Sequence, residues 1–497
     1  MNPLSFADPA FLFCFAPVVL TLYFLLPGAW RNGFLLASSL LLYTWGEGRN
    51  AGVLLLSIAL NHRFGIWIDR ALEHRKSMLA VGIAANVLLL VIFKYAGFLA
   101  VNAAPVVLWM GFPTITVPRV KLPAGLSFFT FMAISYLADV YRRDTGPEKS
   151  LGRFALYLSL FPHLIAGPIV RFADIAGQLH ARTSTMADRV EGARRFVIGL
   201  GKKVLIGNTV APAADAVFAL SAARLSAPLA WVGVLCYAIQ IYFDFSGYSD
   251  MAIGLARMLG FRFPENFNYP YVSTSISEFW RRWHISLSTW LRDYLFFPLG
   301  VRGGRLHLYR NILIVFLLCG FWHGAAWHYV LWGVFHGVFL VFERAGLARV
   351  LERAPTAFRH AYALLVVMLG WVLFRSASIP EAGTYFAALF GLGPAPFADG
   401  VAAYLPLDVQ LALAAGMLAS VPLKLLRSTR GGAGRPERPP QAGCLPHEIP
   451  EGHGYSETGT KLGPWLAVEW ASLALMFLAS LAFASAQTFR PFIYFRF

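Results

Sequence analysis

The sequence predicts an all-α, polytopic integral membrane protein with about eleven or twelve spans, accompanied by re-entrant and interfacial helices. Of its 497 residues, 57% are hydrophobic and 14% are charged, and the mean hydropathy is +0.58. Soluble domains carry about 25% charged residues, so this composition excludes that class. The formal net charge is +16. The basic residues nevertheless cluster in short loops between apolar runs, which is typical of cytoplasmic loops beside membrane lipids and not of a nucleic-acid-binding surface.

The apolar runs predict a topology when the basic loops are placed in the cytoplasm. The first run, 11–26, follows an N-terminus without basic residues, so we expect a retained span and not a cleaved signal peptide. Arg31 follows this run, which places the N-terminus outside. The stretch 99–123 is predicted to be external. The remaining predicted spans are 33–48, 51–67, 81–98, 126–140, 229–259, 359–375, 383–392 (short and weak), 405–423 and 464–485.

The apolar run 154–170 is predicted to be re-entrant. Basic residues flank it on both sides, so both of its ends are expected in the cytoplasm. Pro162 and the Gly167–Pro168 pair interrupt it, and a broken backbone at membrane depth needs protein or a water-filled cavity around it. His163 lies at the break.

The run 311–342 is too long for one span and short for two, and it is predicted to form a hairpin with His323 at its tip. His323 lies roughly 20 Å of helix beyond Arg310, which is near the middle of a bilayer. An ionisable side chain is costly there, so we expect His323 to line a polar cavity and to have a function. The alternative is a buried histidine that bonds to a neighbouring main-chain carbonyl.

Residues 279–294 are predicted to form one amphipathic helix in the membrane interface. His284 is expected on its aromatic face, and three arginines are expected at the headgroups, where they either anchor the helix in lipid or bind the phosphates of a nucleotide-bearing substrate. The predicted apolar face comprises Trp280, Trp283, His284, Leu287 and Leu291. The predicted polar face comprises Arg281, Arg282, Ser288, Thr289, Arg292 and Asp293.

The sequence predicts no metal site. His323 and His328 are five positions apart, which is a poor spacing for shared zinc ligation. The cysteines show no C-x-x-C spacing, and there is no phosphate-binding glycine loop or metalloprotease motif. The remaining chemistry is general-base catalysis by a neutral histidine, which takes the proton of a hydroxyl while that oxygen attacks an activated acyl group. A thioester donor for this reaction needs no metal.

Several longer motifs resemble the membrane-bound O-acyltransferase (MBOAT) family, and in particular its bacterial branch of cell-envelope acyltransferases. The resemblance runs nearly from end to end, and it implies that a single domain of the family's fold occupies residues 1–497. The family's invariant histidine corresponds to His323 and its second, polar site to His284. The motifs that show the resemblance are 123–128 (PAGLSF), 136–142 (YLADVYR), 161–168 (FPHLIAGP), 244–250 (DFSGYSD), 266–271 (NFNYPY), 278–288 (EFWRRWHISLS) and 322–324 (WHG).

This resemblance implies an acyltransferase of the bacterial inner membrane. The expected donor is cytoplasmic acetyl-CoA, recognised by Arg281, Arg282 and Arg292, and the expected acceptor is an exported polysaccharide of alginate type, reached through a periplasmic acetyltransferase partner. O-acylation of peptidoglycan or another envelope polymer by the same chemistry is the alternative within the family. An alternative from another class of protein is a proton-coupled transporter whose histidines relay protons.

The C-terminal part is predicted to contain a polar, flexible loop at 428–463 and then, in 464–497, the last span and an aromatic tail. Phe492, Tyr494 and Phe497 in this tail match the F-x-Y-x-x-F ending of a small partner in the D-alanylation systems. In one interpretation the tail is an aromatic belt at the membrane interface. In the other, Tyr494 enters the cavity and carries the acetyl group, because a phenol ester stays activated for onward transfer.

Overall fold

The computed structural model describes residues 5–71, 73–113, 120–300, 304–422 and 464–486, and every regular element in these ranges is helical. The predicted loop at 428–463 and the tail with Tyr494 lie outside the described residues. The helices of the first half are α1 (Ala16–Leu25), α2 (Gly28–Glu47), α3 (Ala51–Arg70), α4 (Arg75–Leu90), α5 (Ala96–Trp109), α6 (Leu126–Arg142), α7 (Leu151–Ser159), α8 (Phe161–Leu164), α9 (Phe172–His180), α10 (Met186–Gly201), α11 (Asn208–Phe218) and α12 (Ala227–Met258).

The second half is helical as well. In both halves, π-helical turns join several neighbouring helices into longer runs. The π turns are Phe11–Phe15, Val91–Tyr95, Lys202–Gly207, Arg292–Phe296 and Glu343–Leu347. The helices are α13 (Ile276–Arg282), α14 (Ile285–Leu291), α15 (Gly304–His323), α16 (Trp327–Phe342), α17 (Ala348–Arg353), α18 (Thr356–Arg375), α19 (Ile379–Leu389), α20 (Leu407–Ala419) and α21 (Pro464–Ala486).

Seven helical segments in the described ranges are long and apolar enough to cross a membrane, which confirms the prediction of an all-α polytopic membrane protein. Phe11–Leu25 and Leu407–Ala419 are apolar but shorter. The predicted total of eleven or twelve spans includes such shorter segments and stays a prediction. The seven segments are Gly28–Arg70, Arg75–Trp109, Ala227–Met258, Gly304–His323, Trp327–Arg353, Thr356–Arg375 and Ala467–Ser485.

Helix α12 forms the centre of the protein, and 83% of its most apolar stretch is buried. Glycines let α10 approach it closely. A side-chain carbon at Gly199 would lie 2.6 Å from the main-chain oxygen of Gly247, and one at Gly254 would lie 2.5 Å from that of Gly192. Such distances leave no room for a methyl group, so glycine is required at this crossing.

The two aspartates of α12 each face cations from the α10 side. Asp244 forms a buried ion pair with Lys203. Asp250 pairs with Arg195 at 2.9 Å and with Lys202 at 2.7 Å. Because a charge is costly at membrane depth, these pairs explain how the aspartates of the DFSGYSD motif are accommodated and how α10 is held against α12.

The first part of the stretch 99–123 is helical, because α4, the π turn and α5 form one helical run that ends at Trp109, and its external location stays a prediction. Pro105 lies within this run, and side chains such as Val101 and Trp109 are exposed on it. Apolar surroundings favour continued helix, because main-chain groups there need internal hydrogen bonds.

The predicted interruption of 154–170 is confirmed. The short helices α7 and α8 replace a continuous span, and the broken segment is buried in protein. His163 is fully buried, and its Nε2 lies 2.8 Å from the main-chain oxygen of Tyr157. A carbonyl oxygen only accepts hydrogen bonds, so Nε2 donates, and this histidine holds the break together.

Candidate active site

The predicted hairpin is confirmed: α15 ends at His323, and α16 returns beside it from Trp327. Two glycines allow the close contact of the helices. A side-chain carbon at Gly320 would lie 2.2 Å from the main-chain oxygen of Tyr329, and one at Gly333 would lie 2.1 Å from that of Phe316. His323 therefore lies at a rigid helix end instead of on a loop.

His323 lies in an aromatic enclosure and is 4% exposed. Its ring centroid is 4.7 Å from that of Trp322, 5.0 Å from that of Trp332 and 5.2 Å from that of Phe374. In all three contacts the ring planes are steeply inclined, at 67°, 88° and 79°, which is a favoured arrangement of aromatic pairs. Such a dry site favours neutral imidazole and strengthens any interaction with charge that develops nearby.

The prediction of one helix over 279–294 is wrong, because the chain breaks at His284 between α13 and α14. His284 has left-handed backbone angles, φ 43° and ψ 55°, which are uncommon for a residue other than glycine. The segment 266–268, which precedes α13, holds both sides of the break. The main-chain N–H of Asn268 donates to the oxygen of Arg282 at 2.9 Å, and that of Ile285 donates to the oxygen of Asn266 at 2.9 Å. The predicted division into two faces survives, but the apolar set is buried in protein and does not face the lipid of the membrane interface as expected.

The break turns the His284 side chain into the protein, where it is fully buried. Its Nδ1 lies 3.0 Å from the Oδ1 atom of Asn266, and its ring meets that of Phe245 edge-on at 4.7 Å. Burial lowers the pKa of His284 to about 3, because the charged form loses its hydration. His284 is therefore neutral at physiological pH.

Trp322 connects the two histidines. Its ring centroid lies 4.7 Å from that of His323 and 6.5 Å from that of His284. The structure thus brings together two residues that are far apart in sequence, as the predicted site requires.

A second set of contacts holds the hairpin against the helix that precedes His284. Trp280 of α13 packs against Trp332 at 5.7 Å and against Phe316 at 5.1 Å. The Glu343 carboxylate, at the end of α16, accepts the main-chain N–H groups of Ile276 at 2.6 Å and Ser277 at 2.9 Å. These are the first groups of α13, where a helix lacks internal acceptors and favours negative charge.

Lys94 is a residue of this site that the sequence analysis missed. It lies in the π turn between α4 and α5, and its Nζ donates to the main-chain oxygens of Trp322 at 2.5 Å and His323 at 3.4 Å. The neighbouring Tyr95 hydroxyl donates to the oxygen of Phe321 at 3.2 Å. A lone lysine within the apolar run 81–98 was the available signal, because a charge within a span has a function by default.

The three arginines predicted to bind the donor lie at the surface, but the structure does not join them into one anion-binding cluster. Arg281 is exposed. Arg282 bonds to Glu278 at 2.9 Å, and Arg292 bonds to Asp293 at 2.7 Å. Among the residues that the structure describes, no group of three or more histidine, cysteine or acidic side chains could hold a metal ion.

A polar cavity of about 210 Å³ reaches Asn266, the residue that contacts the His284 imidazole. Asn266 lines this cavity and also contacts the imidazole, so the cavity ends one side chain away from the site. Its other lining residues are Arg195, Lys202, Tyr242, Ser246, Ser249, Asp250, Ile253, Glu265, Phe267 and Tyr269.

Comparisons with known proteins show the family of this chain. The sequence profile of the membrane-bound O-acyltransferase family matches residues 77–379, a range that contains both histidines. A probable alginate O-acetylase AlgI of Azotobacter vinelandii is 41% identical over 99% of this chain and 100% of the relative. A peptidoglycan O-acetyltransferase of Helicobacter pylori is 35% identical over 78% of this chain and 80% of the relative.

A more distant relative is named for the transfer of a different acyl group. A teichoic acid D-alanyltransferase of Bacillus subtilis is 28% identical over 50% of this chain and 67% of the relative. The names of these relatives differ in acyl group and acceptor polymer but share transfer of an acyl group. This chain is an acyltransferase, and it belongs to the membrane-bound O-acyltransferase family.

Proposed function

We propose that this protein takes acetyl groups from acetyl-CoA at the cytoplasmic side of the bacterial inner membrane and passes them outward for O-acetylation of an exported polysaccharide of alginate type. The main support for the catalytic part is the pair of buried histidines that both pack against Trp322. The match to a probable alginate O-acetylase over 99% of the chain supports the acceptor.

His323 acts as the general base. The acceptor hydroxyl oxygen attacks the thioester carbonyl carbon while its proton moves to His323. A new C–O bond forms, the C–S bond breaks, and the coenzyme A thiolate leaves and takes up the proton from the imidazolium. His284, which also packs against Trp322, orients or helps to activate the acceptor or the donor. The dry aromatic enclosure keeps water from competing with the acceptor hydroxyl.

The donor approaches through the basic surface around α13 and α14. Coenzyme A carries phosphates, which guanidinium groups bind in a bidentate manner. Arg281 is exposed and available for this contact, whereas Arg282 and Arg292 must loosen their bonds to Glu278 and Asp293. Lipid anchoring competes with this role for the same three arginines.

The acetyl group leaves through Tyr494 toward a periplasmic acetyltransferase partner. The tyrosine hydroxyl is the acceptor in the first transfer, and the resulting phenol ester is reactive enough to pass the acetyl group on. The spacing of Phe492, Tyr494 and Phe497 supports this step. Residues 1–497 act as one transferase domain, with the loop 428–463 dispensable for the chemistry.

Peptidoglycan O-acetylation is the second candidate, and the relative from Helicobacter pylori favours it. The chemistry at the histidines is the same in both cases, so the acceptor polymer distinguishes them.

Because only 14% of residues are charged, the protein should be studied in lipid nanodiscs and not in aqueous buffer.

The decisive experiment uses the full chain in nanodiscs with acetyl-CoA labelled in the acetyl group. We expect release of free coenzyme A and labelling of the protein, and, in cells that make alginate, acetyl esters on the polymer. Proton-coupled uptake of a solute without release of coenzyme A would overturn the proposal. Acetyl esters confined to peptidoglycan would select the second candidate.

A further inference from the structure

The side-chain amide of Asn266 is fully buried and is the centre of a hydrogen-bond network behind His284. Its Oδ1 lies 3.0 Å from His284 Nδ1, 2.9 Å from Ser286 Oγ and 3.3 Å from the main-chain nitrogen of Ser286. Its Nδ2 lies 3.0 Å from Ser249 Oγ on α12. One amide thus joins the segment after α12, the break at His284 and the start of α14.

The orientation of this amide follows from its neighbours. The main-chain N–H of Ser286 can only donate, so the Asn266 atom that it faces must be the oxygen. The Ser286 hydroxyl accepts from the main-chain N–H of Ile169 at 3.0 Å, which leaves its own hydrogen for the same oxygen. The Asn266 NH₂ group then points to Ser249, whose hydroxyl oxygen accepts its hydrogen.

The amide orientation decides which nitrogen of His284 carries the proton. Oδ1 of Asn266 is an acceptor, so Nδ1 of His284 must be the donor. A neutral imidazole has one N–H group, and placing it on Nδ1 leaves the lone pair on Nε2. A neutral imidazole exists in two tautomers, and the hydrogen bond to Asn266 favours the one with the proton on Nδ1.

We propose that Asn266 is a positioning residue that holds His284 in the Nδ1–H tautomer, so that Nε2 presents a lone pair to the acyl-transfer site. The catalytic part of this inference rests on the proposed function, in which the lone pair accepts a hydrogen bond from the acceptor hydroxyl or from the His323 imidazole. The same amide also lines the polar cavity, so it separates that cavity from the imidazole.

The tautomer can be measured without any activity assay. The chain contains 12 histidines, and ¹⁵N labelling of their rings, with His284→Gln to assign the signal, reports the protonation of each nitrogen by nuclear magnetic resonance in nanodiscs. We expect an unprotonated Nε2 and a protonated Nδ1 at His284 in the wild-type protein. A protonated Nε2 would overturn the proposal even if acetyl transfer is fully established.

Substitution of Asn266 tests the consequence for catalysis. Asn266→Leu keeps the approximate volume but removes the acceptor, and Asn266→Asp keeps an acceptor oxygen for His284 and both Ser286 donors. We expect Asn266→Leu to lower kcat by about 10²-fold or more with little change in KM for acetyl-CoA. Asn266→Asp should restore kcat to within about tenfold of the wild-type value.

Matched substitutions at Asn268 serve as the control, because its side chain is exposed and only its main chain bonds to Arg282. Asn268→Leu and Asn268→Asp should leave kcat unchanged. A wild-type kcat in Asn266→Leu would refute the proposal. So would an Asn266→Asp protein that binds coenzyme A but is as slow as Asn266→Leu. Failure of the proposed function would instead show as absence of acetyl transfer in the wild-type protein, with the His284 tautomer unaffected.

Discussion

The Nζ atom of Lys94 lies 2.5 Å from the main-chain oxygen of Trp322, at the end of the helix that carries His323. Carbonyl groups at a helix C-terminus lack partners within the helix and carry partial negative charge, so a cation there stabilises the helix end. The ammonium also lies 5.7 Å from the centroid of the Trp322 ring, the indole that both histidines contact. Lys94 therefore holds the main chain of the candidate base in place.

Lys94→Met should lower kcat by roughly tenfold, because the substitution keeps the length of the side chain but releases the end of α15. The KM for acetyl-CoA should change little, and Lys94→Arg should recover part of the rate. Lys76→Met is the matched control, because Lys76 is an exposed lysine near the start of α4, in the same helical run. Equal rates for Lys94→Met and wild type would show that the contact has no catalytic consequence.

His323→Ala should abolish acetyl transfer while the protein remains inserted in the membrane. Loss of a general base costs on the order of 10²–10⁴ in rate, and removing one side chain from an aromatic enclosure leaves the hairpin contacts of Gly320 and Gly333 intact. Release of free coenzyme A measures the rate, and the elution profile of the nanodiscs measures integrity. An intact variant with wild-type activity would remove His323 from the mechanism.

His284 should make stability depend on pH in a defined direction. Burial lowers its pKa to about 3, whereas an unfolded histidine titrates near 6.5. Above pH 6.5 neither state binds the proton, and the contribution to stability is complete. As the pH falls from 6.5 toward 3, only the unfolded chain takes up the proton, so stability is lost.

His284→Gln should therefore weaken the decrease of Tm between pH 6.5 and 4.5, measured by thermal unfolding in nanodiscs. His74→Gln, at an exposed position, is the control and should leave this decrease unchanged. The same His284→Gln protein should turn over slowly but still bind coenzyme A in calorimetry. If the acid-induced decrease in Tm matched that of wild type, burial of a neutral imidazole at His284 would be refuted.

Reversal of charge at the surface of α13 tests the binding of the donor. Arg281→Glu combined with Arg282→Glu should raise the KM for acetyl-CoA several-fold at low salt with a similar kcat, because the phosphates then meet carboxylates. Arg349→Glu, on α17, controls for a general change of surface charge. An unchanged KM would leave lipid anchoring as the role of these arginines.

Tyr494→Phe separates the two interpretations of the tail, since it removes a hydroxyl and keeps the ring. If Tyr494 carries the acetyl group, the variant should bind coenzyme A, fail to become labelled and fail to acetylate the polysaccharide. Tyr404→Phe is a suitable control, because the Tyr404 hydroxyl bonds to Asp399 far from the histidines in sequence. Near-normal acetylation by Tyr494→Phe would support the aromatic belt.

The sequence by itself determined the features that depend on local composition and spacing. Hydropathy identified a helical membrane protein, because lipid imposes internal hydrogen bonding on every span. The length of the apolar run 311–342 and its basic flanks predicted the hairpin that carries His323. The helical spacing of apolar residues after Phe279 predicted which side chains share a face with His284, and that face is buried in protein.

Only the tertiary structure decided how the two histidines meet and what holds them. Helical periodicity predicted an unbroken helix at His284, but main-chain bonds from residues 266–268 hold that residue in a left-handed conformation. Lys94 reaches the site from 229 positions before His323, and Asn266 reaches it from the irregular segment 18 positions before His284. Both contacts are hydrogen bonds between single groups. They leave no periodic trace in a sequence, because each depends on how the chain packs in three dimensions and not on a repeating local pattern.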